Sequence, residues 1–384
     1  MTAWGEFRAD IEGLRAVAVL AVVLCHAGVP GLSGGYIGVD VFFVISGFLV
    51  TGLLWREATA TNTIRLDRFY GARARRLLPA AAIVAVATAI AAAVALPPLQ
   101  ARNAFLDGIA SALYLGNYGF ALRGTASDTS PFQHYWSLGV EEQFYLIWPA
   151  LIIGAAWLVG RARRGAASQA VPFAALAVLG VASLATAVLW TRTAPPWAFF
   201  SLPTRAWELA AGGLVALSIH HWRRLPPLPA AIAGWGGLAL FLVTCHQLGP
   251  NIPYPGTAAL LPVLGTALVI GGGCVTGATG PGRLLCRPAM RALGRLSYSW
   301  YLWHWPVLLL MPRLLGQPAS LPAKLAATVV SAGLAVITLY LVENPGRFAA
   351  ALRGSARASF VLAGVATATT ATACVLLLTL IPKI

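Results

Sequence analysis

The sequence predicts an all-α fold, a polytopic bundle of about eleven transmembrane helices, and three observations lead there. Of 384 residues 58% are hydrophobic and only 10% charged, where soluble chains carry charge at about a quarter of their positions. Apolar runs of roughly the 20 residues needed to cross a bilayer recur from one end to the other. The basic residues also alternate between the connecting segments in the manner of a membrane protein.

The candidate spans are 11–28, 36–55, 77–96, 138–160, 172–190, 206–219, 228–246, 257–274, 297–315, 325–343 and 359–381. The first has Glu6, Asp10 and Glu12 at or before its start and lacks an A-x-A site, so it reads as a retained helix and not a cleaved leader. Three connections are more than turns. Residues 56–76 form a basic segment ending in "DRFYGARARRLLPA". Residues 97–137 are long enough to hold an outer or re-entrant helix. Residues 191–205, "TRTAPPWAFFSLPTR", are rich in proline and aromatics, which suits an interfacial loop. No internal repeat is visible, and many transporter folds are built from repeats.

With the N-terminus in the cytoplasm, only seven of the 27 Lys and Arg residues lie outside: Arg102, Arg123, Arg192, Arg205, Arg313, Lys324 and Lys383. This bias sets the orientation as N-terminus inside and C-terminus outside. It also accounts for the net charge of +15 without a nucleic-acid partner. Five scattered cysteines form no CxxC or Cys/His cluster, so neither a metal site nor a disulfide framework is expected.

Ionisable residues within spans are costly and tend to be functional. Arg15 and His26 are eleven residues apart on the first span. Three helical turns put both on one face, about 16 Å apart along the axis, with Arg15 at the inner interface and His26 near the outer end. Asp40, Glu141, Glu142 and Glu208 open the second, fourth and sixth spans on the outer side, with His134 and Arg205 beside them. A carboxylate accepting from one imidazole nitrogen makes the other a better base. On the inner side Arg73, Arg75 and Arg76, with Arg15 and Arg68, form an anion site suited to phosphate. His304 lies between Trp303 and Trp305 in "GRLSYSWYLWHWPVLLL" and is a candidate to line the polar path. Phosphate recognition inside and a base outside fit a donor with a phosphorylated head and a long thin arm, and coenzyme A has that shape. Acyl transfer from it needs a base to activate an alcohol.

The blocks "FRADIEGLRAVAVLAVVLCHAG", "GGYIGVDVFFVISGFLVT", "DRFYGARARRLLPA", "HYWSLGVEEQFYLIWP", "PTRAWELAAGG", "YPGTAALLPVLGTALVI", "LGRLSYSWYLWHWP" and "VENPGR" together resemble the integral membrane acyltransferase family 3, which includes surface-polysaccharide and O-antigen O-acetyltransferases. The family's basic-x10-His pattern falls on Arg15 and His26 and its RxxR on Arg73 and Arg76. The resemblance implies a domain over 1–345 and one additional C-terminal span in 346–384, with no soluble domain following it in this sequence. It implies transfer of an acyl group, usually acetyl, from cytoplasmic acetyl-CoA to a hydroxyl of a cell-envelope carbohydrate by a multi-pass protein of the inner (cytoplasmic) membrane.

The resemblance also implies site roles. His26 is catalytic, and Arg15, Arg73 and Arg76, with Arg75 beside them, hold the donor. The "WSLGVEEQFY" stretch lines the site, with Glu141 preferred to Glu142 because two adjacent helical residues point about 100° apart. Asp40 is the second choice as orienting carboxylate. Trp136, Ser137, Tyr145, Arg205, Glu208 and His304 are the expected substrate contacts, and Ser46, Ser137 and Cys25 are the nucleophiles open to an acyl-enzyme route. No metal is implied. One group in the family continues into an outer SGNH-type domain, so such an acyl-accepting partner is expected. A secondary transporter and a lipid-linked glycan flippase are the rival readings. Neither needs a phosphate site on one side and a base on the other.

Overall fold

A computed structural model describes residues 8–61, 63–124, 129–161, 167–249, 251–275 and 279–381. Lys383, counted above among the outer bases, lies outside the described residues. The described residues contain no strand. In chain order the helices are α1 (Ala9–Ala27), α2 (Gly38–Thr61), α3 (Leu66–Ala95), α4 (Pro98–Ala112), α5 (Gly116–Arg123), α6 (Tyr135–Arg161), α7 (Ala167–Thr193), α8 (Pro195–Phe200), α9 (Leu202–Leu217), α10 (Ile219–Trp222), α11 (Pro227–Gln247), α12 (Leu260–Gly272), α13 (Gly282–Leu285), α14 (Pro288–Leu314), α15 (Leu321–Thr338), α16 (Asn344–Phe348), α17 (Ala350–Arg353) and α18 (Ala356–Leu380). Proline in the first turn starts α4, α8, α9, α11 and α15, where its missing N–H costs nothing. Ser355 caps α18 by accepting from the Ala358 N–H at 3.1 Å, which satisfies one orphan donor.

Each of the eleven predicted segments overlaps one of these helices. Six described stretches are long and apolar enough to cross a membrane: Gly35–Thr61, Leu66–Ala95, Ala170–Thr193, Pro227–Gln247, Leu321–Phe348 and Ala356–Leu380. α1 opens on Asp10, Glu12 and Arg15, and charge within a span is costly. α12 has 13 residues, a length of about 20 Å. The connection 97–137 holds α4 and α5, and the proline-rich 191–205 folds into α8 and the start of α9.

The chain divides into two compact units. The first comprises 1–25, 29–64 and 141–295. α2 crosses α9 closely. A Cβ added at Gly47 would run into the Leu209 carbonyl, and one at Gly212 into that of Val44. Small residues at such crossings let helix backbones approach closely, which is how membrane helices gain packing energy. At the start of the unit, Arg291 Nε donates to Glu12 Oε2 at 3.0 Å, fixing α14 to α1. We expect Gly212→Val to destabilise the unit by at least about 1–3 kcal/mol through overpacking, read as a lower thermal-aggregation midpoint in detergent. Gly236→Val, where an added Cβ meets nothing within 4 Å, serves as the control; equal midpoints for the two variants would refute the packing account.

The second unit comprises 26–28, 65–140 and 296–384. α18 packs along the alanine-rich α3 and against α4. Arg75 Nη1 donates to Ser359 Oγ at 2.6 Å and to the Leu352 carbonyl at 3.2 Å. The Tyr298 hydroxyl donates to the Leu77 carbonyl at 2.8 Å, two residues before Pro79, the proline inside α3. The ring N–H of Trp300 reaches Ser331 Oγ at 3.0 Å and that of Trp303 reaches Thr338 Oγ1 at 2.8 Å, so the indoles of α14 bind it to α15.

Candidate active site

The second unit gathers three histidines. His26 closes α1, His304 sits in α14 and His134 immediately precedes α6. His26 Nδ1 and His304 Nε2 are 3.0 Å apart. The two rings are nearly parallel, 7° between planes, with centroids 5.3 Å apart. At that separation 3.0 Å is the closest approach two ring nitrogens can make, so both nitrogens and both ring centres lie on one line. The contact is an in-plane N–H···N hydrogen bond and not a π-stack. Trp305 meets the His26 ring edge-on, centroids 4.7 Å apart, and its indole N–H donates to the Ser130 carbonyl at 2.9 Å. His304 is fully buried, and its Nδ1 donates to the Tyr301 carbonyl at 2.5 Å. His134 stands perpendicular to His304, centroids 5.9 Å apart. Burial, with the His26 imidazole as a lesser cause, lowers His134 to about 3, so it is neutral. Among the described residues no group of three or more His, Cys, Asp or Glu is arranged to hold a metal ion.

The remaining expected residues of this unit have definite partners. Ser137 is buried and shares a 2.7 Å hydrogen bond with the Tyr301 hydroxyl, which in turn donates to the His134 carbonyl at 3.0 Å. Trp136 is buried. Arg75 is committed to Ser359 and Leu352, so its fork ties helices together. Arg73 lies over the Phe69 ring at 5.8 Å, and both it and Arg76 are half-buried on α3. On the continuous helix α1, half-buried Arg15 lies three turns before His26.

In the first unit, half-buried Glu141 Oε1 accepts from the Tyr145 hydroxyl at 2.7 Å and from Ser46 Oγ, and Ser46 also contacts the Tyr145 hydroxyl. Glu142, the next residue on α6, is half-buried. Asp40, Arg205 and Glu208 form a second, closed cluster. Arg205 Nη2 donates to Asp40 Oδ1 at 3.1 Å, and Nη1 lies 3.2 Å from Glu208 Oε1. The Tyr254 hydroxyl donates to Asp40 Oδ1 at 2.5 Å. Side-chain exposure is 1% for Arg205 and 0% for both acids, so the three charges face one another away from solvent. The cluster anchors α2 to α9.

A cavity of about 510 Å³ opens in the first unit, lined by Arg8, Asp10, Phe48, Arg56, Arg223 and Gly273 among others. Arg8 is held there by both Asp10 oxygens at 2.6–2.8 Å, by Cys274 Sγ at 3.2 Å and by the Ile270 carbonyl at 3.0 Å. Despite its burial, those acceptors raise the Arg8 pKa.

Sequence reasoning missed Tyr301, Trp305 and Tyr254. The first two were recoverable from spacing. Tyr301, His304 and Trp305 recur at i, i+3 and i+4, one face of a helix. Tyr254 lies in irregular chain and gave no such signal.

The comparisons with known proteins agree on one family. The acyltransferase domain of the family 3 type matches residues 8–342. The peptidoglycan O-acetyltransferase OatA of Listeria monocytogenes is 30% identical over 361 residues, covering 88% of this chain and 55% of the relative. The putative peptidoglycan O-acetyltransferase YrhL of Bacillus subtilis is 31% identical over 355 residues, covering 88% and 54%. A putative O-acetyltransferase of Staphylococcus aureus, SAS0844, is 29% identical over 320 residues, covering 79% and 51%. The chain thus spans about half the length of the curated relatives it matches. No solved structure matches it. With its several membrane-length helices and a family match over most of its length, the chain is a multi-pass membrane protein that belongs to acyltransferase family 3.

Proposed function

We propose that this chain is the membrane acyl-transfer part of a peptidoglycan O-acetyltransferase. It crosses the cytoplasmic membrane eleven times with the N-terminus inside. It takes acetyl from cytoplasmic acetyl-CoA and delivers it to a sugar hydroxyl on the outer side. The observation that carries this reading is His26, an imidazole near the predicted outer end of α1 with one nitrogen held by His304, which gives the role of base to the other. The names of OatA and YrhL supply the acceptor class. Arg15, Arg73 and Arg76 are the donor-binding cations, and the arginine-rimmed cavity of the first unit has the volume of a ligand pocket. Glu141, its Oε1 fixed by Tyr145 and Ser46, is a polar contact for the reacting groups. The relatives are nearly twice as long, which leaves room for an acyl-accepting partner domain of the SGNH type.

In the transfer step the acceptor hydroxyl gives its proton to His26 as its oxygen attacks the thioester carbonyl. The carbon–sulfur bond breaks and the thiolate recovers that proton, so hydroxyl plus thioester becomes ester plus thiol. The test is purified protein in proteoliposomes with radiolabelled acetyl-CoA outside and a soluble peptidoglycan fragment inside. Labelled ester on the fragment, with one free CoA per acetyl, is expected. Fragment or label crossing the bilayer without CoA release would establish the transporter reading. Flip of a lipid-linked glycan without CoA release would establish the flippase.

A further inference from the structure

We propose that His304 is a positioning residue that holds His26 as its Nδ1–H tautomer and thereby leaves Nε2 as the basic nitrogen. The inference rests on the acyl-transfer reading above. The chain of donors has one fixed end. A backbone carbonyl only accepts, so His304 Nδ1, 2.5 Å from the Tyr301 oxygen, carries a hydrogen. In a neutral imidazole the other nitrogen is then an acceptor. His304 Nε2 therefore accepts from His26 Nδ1 at 3.0 Å, and the lone pair of His26 falls on Nε2. His304 is neutral because it is fully buried and its ring neighbours are two imidazoles and a phenol, none of them a counter-ion; a buried imidazolium without a counter-ion is costly.

The in-line geometry also stops the His26 ring from turning. Edge-on contact with Trp305, itself bonded to the Ser130 carbonyl, closes off the opposite rotation. When His26 takes the acceptor proton on Nε2, Nδ1–H still donates to His304 Nε2, so a neutral, polarisable ring shares the transient charge. A carboxylate in that place would hold the imidazolium more tightly and release its proton to the leaving thiolate less readily.

The experiment compares His304→Gln with His304→Leu in the full chain, in the acetyl-CoA assay. The Gln amide oxygen can accept from Nδ1–H, whereas Leu cannot. For Leu, kcat falls by about 100-fold, the scale of a lost general base, while KM for acetyl-CoA stays within about twofold. Gln restores most of kcat. Equal losses for the two variants, or wild-type kcat with Leu, would overturn the inference. Nitrogen-15 shifts of His26 in the wild-type protein, assigned by difference against His26→Ala, give a reading that survives misfolding of a variant. A protonated Nδ1 with bare Nε2 is expected, and the opposite tautomer would overturn it. Loss of turnover in His26→Ala beside full turnover in His304→Leu sinks this inference alone. Unchanged turnover in His26→Ala sinks the acyl-transfer base as well.

Discussion

His26→Ala is expected to lower acetyl transfer by about 10²–10⁴-fold, the range a positioned general acid–base contributes. The loss should fall on kcat, because His26 is assigned to the reacting hydroxyl and donor binding to Arg15, Arg73 and Arg76. Donor binding is read separately, as the rise in thermal midpoint that CoA produces by mass action, and should match wild type. His221→Ala is the control: His221 is exposed on the four-residue α10 and should transfer normally. Removing His26 leaves His304 Nε2 without its donor, but Nδ1 keeps the Tyr301 carbonyl, so α14 retains its local bond and the fold should persist. If His26→Ala transfers acetyl at the wild-type rate while folded, the imidazole is structural and the base lies elsewhere.

Composition and the distribution of arginine made the helical, membrane-embedded class legible, because both follow from the bilayer as solvent. The prolines of 191–205, read as the mark of an interfacial loop, instead start α8 and α9. α12 was harder: 257–274 looks like a full span, yet its helix covers only Leu260–Gly272. The helix starts after an irregular stretch containing Tyr254, whose side chain serves Asp40. In the site, periodicity placed Arg15 and His26 on one helix face, and the flanking tryptophans singled out His304. It could not pair them, because His26 and His304 are 278 residues apart and a single sequence carries no record of which spans meet. Nor could it show that Asp40 and Glu208 both face Arg205. From sequence, an acid at a helix start that serves a substrate looks the same as one that neutralises a buried arginine. Only the depth of burial separates them.

Arg205→Met should be the most destabilising single change in the first unit. Arg205 is one cation between two carboxylates, all three withdrawn from solvent, and its guanidinium also lies over the rings of Phe43, Phe199 and Tyr254 at 5.5–5.9 Å. Breaking a buried pair by removing one partner typically costs about 3–5 kcal/mol, because the charge left behind is uncompensated; here two acids are left. Met fills much of the volume and keeps the aromatic contacts, so the loss reports charge more than packing. The check is resistance to unfolding in SDS, beside the triple variant Arg205→Met, Asp40→Asn, Glu208→Gln. Neutralising the acids removes the stranded charge, and replacing a whole buried ion cluster by neutral groups is often close to neutral in stability. The triple variant should therefore recover most of what the single variant loses, a coupling far outside additivity. Arg205→Lys should fall between them, since one ammonium replaces the charge but not the fork that reaches Asp40 and Glu208 together. If Arg205→Met alone is near wild type, both acids already hold protons, and the cluster is a hydrogen-bonded set and not an ion pair. If the triple variant is no better than the single, the aromatic cage, and not the charge, sets the stability of α2 against α9.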